Sequence, residues 1–199
     1  MSASQQQILS NPEPEHPVPH TLPTALRRLV LTGFMGAGKS TIGRLLASRL
    51  GWEFLDLDNH LESRTGATIS ELFSLHGEAH FRRLESTALA SALGRSNVVL
   101  ALGGGTPEDL TNRLLLEQTP ATLTVFLDAP FSTLFDRCML QEISRPVLAD
   151  PAAAELRFER RRPLYARLSR LTVDTSVLSS EETIEAILIG LNQIPHSRR

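Results

Sequence analysis

The stretch Gly33-Phe34-Met35-Gly36-Ala37-Gly38-Lys39-Ser40 decides the fold, because it follows an apolar segment and precedes one with helical spacing. It fits the pattern G-x-x-x-x-G-K-[ST], in which glycines let the backbone turn its N–H groups toward phosphate oxygens. The N-terminus of the next helix adds partial positive charge. We therefore predict a loop that binds a nucleoside triphosphate through Gly36, Ala37, Gly38, Lys39, Ser40 and Thr41.

Lys39 is the only lysine among the 20 basic residues, and it stands where this pattern places a phosphate-binding cation. We expect it to contact the outer phosphates, and we expect the Ser40 hydroxyl to be a ligand of Mg²⁺. The loop alone does not say whether the phosphate goes to water, to a protein or to a small molecule.

On both sides of this loop along the chain, short apolar segments alternate with segments whose apolar residues recur at the spacing of a helix. Strands that are apolar throughout, rather than at every second residue, are typical of a parallel sheet covered on both faces. We therefore predict an α/β fold of the P-loop NTPase type, resembling nucleoside monophosphate kinases, with a five-stranded parallel sheet between helices. Its ligands should bind at the carboxyl ends of the strands. The predicted strands are Leu29–Leu31, Glu53–Leu57, Val98–Leu102, Leu123–Leu127 and Leu171–Val173.

The composition limits the domain organisation and the classes of partner. Residues 1–25 carry five prolines among polar residues and are predicted to be a disordered tail, which leaves residues 26–199 as one domain. The net charge of −2 gives no general attraction to nucleic acid or anionic membranes. The lone cysteine and the lack of a long apolar run favour a cytoplasmic protein without a membrane segment.

An acidic pair, Asp56 and Asp58, closes the second predicted strand. At positions i and i+2 of a strand, both carboxylates would face the same side of the sheet. One could hold Mg²⁺, and the other could accept the hydrogen bond of a substrate hydroxyl and help to remove its proton. The alternative is a pair of surface or helix-capping aspartates, with Asp58 capping the turn that follows.

The chain resembles the shikimate kinase family in five linked motifs, which are far more specific together than the phosphate loop alone. Order and spacing agree from about residue 29 to residue 193. The matching segments are Gly33 to Asp58, Gly77 to Glu85 (similar to the family's G-E-x-x-F-R-x-x-E), Gly103-Gly104-Gly105, Arg145-Pro146-Val147-Leu148, and Arg161-Arg162-Pro163-Leu164-Tyr165.

The resemblance implies a role for each matched polar residue at the acid-binding end of the site. Asp58 would bind the hydroxyls of shikimate, and Asp56 would serve the metal. Arg82 and Arg161 would grip the carboxylate, because the planar guanidinium matches it bidentately. The glycines Gly103, Gly104 and Gly105 would lie against the substrate, and Glu85 would hold Arg82 or a nearby water.

Without the resemblance, ordinary interpretations of the two arginines are open. Arg82 could pair with Glu78 or Glu85 on its own helix, and Arg161 could lie on a solvated face. Thr106-Pro107-Glu108 also departs from the small residue plus valine that is often seen after the glycines. We expect that departure to alter the loop slightly, and we expect Pro107 to begin a helix.

The resemblance also implies a lid, at about residues 138–151, that closes over ATP. Arg145 would reach the transferred phosphate and neutralise charge on its oxygens. Arg137 would stack on the adenine. The catalytic residues implied are thus Lys39, Asp58 and Arg145.

The implied activity is phosphorylation of the 3-hydroxyl of shikimate, with ATP as co-substrate and Mg²⁺ as cofactor, in the pathway of aromatic amino-acid biosynthesis. We expect a monomer that binds these small molecules and neither nucleic acid nor membrane. Two alternatives are a gluconate kinase, which shares the architecture, and a regulator that senses a ligand without catalysis. A regulator would usually bring a DNA-binding domain, for which the tail of about 25 residues is too short.

Overall fold

The computed structural model describes residues 25–140 and 150–194 of the chain, which alternate between strands and helices. In chain order the elements are β1 (Arg28–Thr32), α1 (Lys39–Leu50), β2 (Glu53–Asp56), α2 (Leu57–Thr65), α3 (Ile69–Leu93), β3 (Val98–Ala101), a 3₁₀ helix (Thr106–Glu108), α4 (Leu110–Gln118), β4 (Thr122–Asp128), α5 (Phe131–Leu140), α6 (Pro151–Leu168), β5 (Leu171–Asp174) and α7 (Ser180–Gln193).

The five strands form one parallel sheet in the order β2-β3-β1-β4-β5. Helices cover both faces of the sheet, and neighbouring residues of one strand therefore pack into two different apolar clusters. Leu29 and Leu31 pack with residues of α1, α6 and α7, whereas Val30 packs with residues of α2 and α3. Burial on both faces explains why the central strands β1, β3 and β4 are largely apolar, and the parallel sheet with its flanking helices confirms the predicted α/β fold.

The end of β2 differs from the prediction. The strand stops at Asp56, and Leu57 begins α2, so Asp56 and Asp58 do not share a strand face. Leu57 is fully buried, and a buried leucine fits the end of a strand as well as the start of a helix, so its apolar character did not distinguish the two. The alternative of helix-capping aspartates holds for Asp56, which is the N-cap residue of α2, and not for Asp58, which lies in its first turn.

The segment after the three glycines also differs from the predicted helix beginning at Pro107. Residues Thr106–Glu108 form only a 3₁₀ turn, with Pro107 within its first two positions. Asp109 then caps the separate helix α4 by accepting from the backbone N–H groups of Thr111 and Asn112. This short turn brings Glu108 to the carboxyl end of β3.

Three predictions fall mainly outside the described residues. They are the disordered tail at residues 1–25, the lid at about residues 138–151, and the position of Arg145. Within the described ranges, no helix is both long enough and apolar enough to cross a membrane.

Candidate active site

A cleft of about 500 Å³ opens at the carboxyl ends of the strands, where such folds bind ligands. Residues of the phosphate loop line one end, and the other end is lined by the glycines that follow β3 and by arginines of α3 and α6. We call these the nucleotide end and the acid end. The lining includes Gly36, Gly38, Lys39, Ser40, Thr41, Asp56, Asp58, Arg82, Glu85, Gly103, Gly104, Gly105, Arg157 and Arg161.

The nucleotide end is formed largely by backbone. Gly36 and Gly38 adopt left-handed backbone angles, with φ of 78° and 85°, which the loop needs in order to turn into α1. A Cβ on Gly36 would lie 2.3 Å from the carbonyl oxygen of Leu134, so α5 packs directly against this glycine. Ala37, within the loop, is buried. This close packing holds the loop in shape.

Lys39 lies in the first turn of α1 with its ammonium directed back over the loop. Its Nζ donates to the carbonyl oxygens of Gly33 at 2.9 Å and Phe34 at 3.0 Å. The ammonium is therefore already held at the phosphate end of the cleft.

Ser40 and Asp56 bring two oxygen ligands together beside Lys39. The Ser40 hydroxyl donates to Oδ2 of Asp56 at 2.6 Å. The other carboxylate oxygen, Oδ1, accepts from the backbone N–H groups of Asp58 and Asn59, which fixes the orientation of Asp56. A hydroxyl and a carboxylate suit Mg²⁺, which keeps several waters and takes few protein ligands. The described residues contain no larger His, Cys, Asp or Glu cluster of metal-site geometry.

Asp58 faces the three glycines from the first turn of α2. A Cβ on Gly103 would lie 2.6 Å from Oδ1 of Asp58, so only a residue without a side chain lets this carboxylate approach the loop. Both aspartates line the cleft although they lie on different elements. The structure thus brings them together by a strand-to-helix turn, and not by strand alternation.

Arg82 is held by a buried carboxylate at the acid end. Its Nη1 donates to Oε2 of Glu85 at 2.8 Å, and Oε1 of Glu85 accepts from the Thr106 hydroxyl at 2.7 Å. Burial alone would lower the pKa of Arg82, but its bonds with Glu85 and Glu78 raise that pKa above the ordinary value. Both carboxylate partners considered from the sequence therefore contact Arg82, and the guanidinium still lines the cleft.

Arg161 reaches the same place from α6. Its Nη2 donates to Oε2 of Glu108 at 2.6 Å, and its side chain is only 11% exposed, so it does not lie on a solvated face. A Cβ on Gly105 would lie 2.8 Å from Nη2 of Arg82 and 3.1 Å from Nη2 of Arg161. The two guanidinium groups thus converge on one glycine.

Tyr165 and Glu108 support this end of the cleft, and sequence reasoning assigned a role to neither. The Tyr165 hydroxyl donates to the carbonyl oxygen of Gly104 at 2.6 Å, and burial raises the pKa of this phenol. Tyr165 is the last residue of the matched motif that begins at Arg161, and Glu108 lies in the segment that departs from the family pattern. Membership of a matched motif for Tyr165, and of the departing segment for Glu108, were the sequence features that could have indicated a role for each.

Arg137 does not line the cleft in this structure. Its guanidinium donates to the Thr175 hydroxyl at 3.2 Å and to the backbone oxygens of Thr175 and Ser176, which ties α5 to the loop after β5. Its predicted contact with adenine is untested. So is the predicted role of Arg145, which lies outside the described residues.

Comparison with known proteins agrees with this geometry. The family model described as "Shikimate kinase" matches residues 35–192. The chain belongs to the shikimate kinase family. A shikimate kinase of Bordetella avium is 41% identical over 180 residues, covering 88% of this chain and 82% of that protein. One from Lactococcus lactis is 41% identical over 161 residues, covering 80% and 94% respectively. Family membership makes the chain an ATP-using kinase.

Solved structures extend the match to the fold. A shikimate kinase from Acinetobacter baumannii in complex with shikimate is 35% identical, with a TM-score of 0.77, covering 85% of this chain and 96% of that chain. A gluconokinase from Sinorhizobium meliloti has a TM-score of 0.59 at 19% identity, covering 84% and 93%. The likeness to the gluconokinase concerns the fold alone. The choice between shikimate and gluconate as substrate therefore depends on the side chains of the cleft.

Proposed function

We propose that the protein transfers the γ-phosphoryl group of ATP to the 3-hydroxyl of shikimate, giving shikimate 3-phosphate and ADP. One observation carries the proposal: a single cleft holds Lys39 and the phosphate loop at one end, and Asp58 with the convergent pair Arg82 and Arg161 at the other. A carboxylic acid with ring hydroxyls needs this combination of a cationic grip and a hydroxyl acceptor. The reaction belongs to the shikimate pathway of aromatic amino-acid biosynthesis.

At the acid end, we assign the substrate carboxylate to Arg82 and Arg161. Guanidinium groups bind carboxylates through paired N–H donors, which positions the ring as well as holding it. The glycines 103–105 let the ring lie close to backbone. Asp58 then accepts the hydrogen bond of the reacting hydroxyl, orients its oxygen and receives its proton as the phosphoryl group is transferred.

At the nucleotide end, we assign the phosphates to the loop N–H groups, Lys39 and Arg145. These groups neutralise the charge that spreads over the phosphoryl oxygens. Ser40 and Asp56 would hold Mg²⁺, which when bound supplies a further positive charge to the β- and γ-phosphates. Arg137 is assigned to the adenine side. The lid at residues 138–151 is proposed to close over ATP and to exclude water.

The organisation and setting of the protein are also part of the proposal. We propose one catalytic domain over residues 26–199, preceded by the proline-rich tail at residues 1–25. We further propose a monomeric, cytoplasmic enzyme that binds neither nucleic acid nor membrane. The family match over residues 35–192 supports an enzyme of small molecules, and the net charge of −2 gives no general attraction to nucleic acid or anionic membranes.

Shikimate-dependent ADP release in a coupled assay tests the substrate. Parallel reactions with gluconate and without any acid measure discrimination and ATP hydrolysis. We expect turnover with shikimate at least about 100 times that with gluconate, because a flexible open-chain acid held by the arginines does not keep its reacting hydroxyl fixed on Asp58 as a rigid ring does. Equal turnover of the two acids, or ATP-independent binding of shikimate without turnover, would contradict the proposal.

The single lysine allows an independent test of the nucleotide end. An acylating ATP analogue has only Lys39 and the N-terminal amine as amine targets. We expect labelling at Lys39 that excess ATP prevents, while labelling of the N-terminal amine is unaffected and serves as the internal control. Labelling at Lys39 that ATP leaves unchanged would count against nucleotide binding at this loop.

A further inference from the structure

Glu108 places a carboxylate of the protein on the arginines assigned to the substrate. Its Oε2 accepts from Nη2 of Arg161 at 2.6 Å and lies 3.6 Å from Nη2 of Arg82. Its Oε1 accepts from Nη2 of Arg160 at 2.7 Å. The carboxylate therefore bridges an arginine inside the cleft and an arginine outside it.

The contact with Glu108 engages only one of the two N–H donors that Arg161 presents on this side of its guanidinium. Nε and Nη2 of an arginine point the same way and form a two-donor fork, which Arg162 uses fully against Asp128 through bonds of 3.2 Å and 2.7 Å. In Arg161, Nη2 is bonded to Glu108, whereas Nε is buried and has no hydrogen-bond partner among the residues that the structure describes. A buried donor without a partner indicates that a second acceptor belongs there.

We propose that Glu108 holds the place of the substrate's carboxylate on Arg161 in the empty enzyme and is displaced when the acid binds. This rests on the proposed function, because it identifies the displacing group as the carboxylate of shikimate. Glu108 then determines how tightly the acid is bound without taking part in phosphoryl transfer.

The surroundings make the displacement feasible. Arg160 is 68% exposed and Arg161 only 11%, so a Glu108 that leaves Arg161 keeps its outer partner and gains water. Only the side chain has to move, because Arg113 holds the 3₁₀ turn in place by donating to the carbonyl oxygens of Pro107 and Glu108. Although burial would raise the pKa of Glu108, Arg161 and Arg160 hold that pKa below the ordinary value, so the competing group is an anion at neutral pH.

Charge explains why the two carboxylates compete. Arg82 already faces the buried carboxylate of Glu85, and Arg161 faces the partly exposed carboxylate of Glu108. Glu85 binds Nη1 of Arg82 and leaves Nη2 of that arginine toward Gly105. A substrate carboxylate on the Nε–Nη2 fork of Arg161, by contrast, would need the Nη2 donor that Glu108 occupies and would add a second negative charge there. Binding of the acid therefore requires breaking the bond between Arg161 and Glu108.

The variant Glu108→Gln tests this, because it keeps the size of the side chain and removes the charge. We expect the KM for shikimate to fall by about three- to tenfold, as a neutral amide competes more weakly than a carboxylate for a guanidinium. The kcat and the KM for ATP should stay within about twofold. Calorimetric titration with shikimate, without nucleotide, should show the same gain in affinity.

Two further variants separate contact from charge. Glu108→Asp keeps the charge on a side chain too short to hold the present bond to Arg161, so its KM should lie between those of the wild type and Glu108→Gln. Asp128→Asn removes the carboxylate that pairs with the neighbouring Arg162 outside the cleft, and it should leave the KM for shikimate unchanged.

The outcomes distinguish this inference from the function on which it rests. No turnover of shikimate by the wild type would overturn both. Turnover by the wild type with an unchanged KM in Glu108→Gln would overturn only the displacement. A raised KM would also overturn it, since Glu108 would then be orienting Arg161 for the substrate. Melting temperatures within about 2 °C of the wild type would show that the variants are folded, and Glu108→Ala provides a second neutral variant.

Discussion

The two ends of the cleft hold their charges by different means. The nucleotide end is a contiguous stretch, Gly33 to Ser40, whose shape comes from backbone angles and from packing against α5. The acid end is assembled from α2, α3, the 3₁₀ turn and α6, and its arginines are positioned by carboxylates. A side-chain network can be adjusted one residue at a time, whereas a packed backbone loop cannot. We therefore expect substitutions to damage the first end abruptly and the second end by degrees.

Gly36→Ala should have the largest effect. The new Cβ would lie 2.3 Å from the Leu134 carbonyl oxygen, in a residue whose φ of 78° is unfavourable for alanine. Because the neighbour is backbone, the loop or α5 must move. We expect a loss of about 2 kcal/mol or more in unfolding free energy, and at least about a 100-fold loss in kcat/KM for ATP, measured by denaturant unfolding and by initial rates.

Gly94→Ala is the matched control for this glycine substitution. Gly94 ends α3 with a φ of −70°, and its Cβ would lie 3.3 Å from the Ser91 carbonyl oxygen, outside the cleft. Its stability should change by less than about 0.5 kcal/mol, with normal kinetics. If Gly36→Ala behaved like Gly94→Ala, the loop would not be held by its backbone packing.

Glu85→Gln should have the next largest effect and should act on the acid end alone. Glu85 is 2% exposed and bonds both Arg82 and the Thr106 hydroxyl. Loss of its charge leaves Arg82 partly buried without its main counter-ion, so we expect about 2 kcal/mol lower stability and about a tenfold higher KM for shikimate. The KM for ATP should be nearly unchanged.

Glu78→Gln is its control, because Glu78 bonds the same guanidinium from a side chain that is 68% exposed. An exposed pair contributes little, so we expect at most about 0.5 kcal/mol and normal kinetics. Equal effects of the two substitutions would mean that burial is not what makes Glu85 important.

Gly105→Ala should give a smaller and purely kinetic effect. Its φ of −96° suits alanine, and the atoms a Cβ would meet are the flexible guanidinium ends of Arg82 and Arg161 at 2.8 to 3.1 Å. The arginines can shift, so stability should stay within about 1 kcal/mol. Their altered separation should raise the KM for shikimate about fivefold. A loss of ATP binding instead would show that the two ends are not independent.

The contrast between the ends also explains what could be predicted from sequence. Lys39 and Ser40 were predicted from the residues themselves, since a contiguous loop needs no knowledge of the fold. Arg82 and Arg161 were predicted only through the family resemblance, because nothing local indicates that two arginines of different helices converge on Gly105. Their roles as substrate ligands stay predictions until the kinetics above are measured.

Two local features escaped prediction for identifiable reasons. The shift from strand to helix at Leu57 was missed because a buried leucine fits either element, so Asp56 and Asp58 were assigned to one strand. The pairing of Glu108 with Arg161 joins residues 53 positions apart. Only the position of the 3₁₀ turn relative to α6 brings them together, and no sequence pattern encodes that position.

The smallest expected effect concerns Tyr165, which lies beneath the glycines and can be observed directly because it is the only tyrosine in the chain. Burial raises the pKa of its phenol above the usual value of about 10. The folded protein therefore favours the neutral phenol, so this contribution to stability is complete below about pH 10 and is lost as the pH rises above it. Phenolate absorbance should be absent near pH 10.5 in the folded protein and present at that pH in denaturant.

Tyr165→Phe should remove this part of the pH dependence, lower stability by about 1 kcal/mol through loss of the bond to Gly104, and raise the KM for shikimate no more than about threefold. A phenol that titrates normally while the fold is intact would mean that Tyr165 does not hold the glycine loop, and the acid end would then depend on its ion pairs alone.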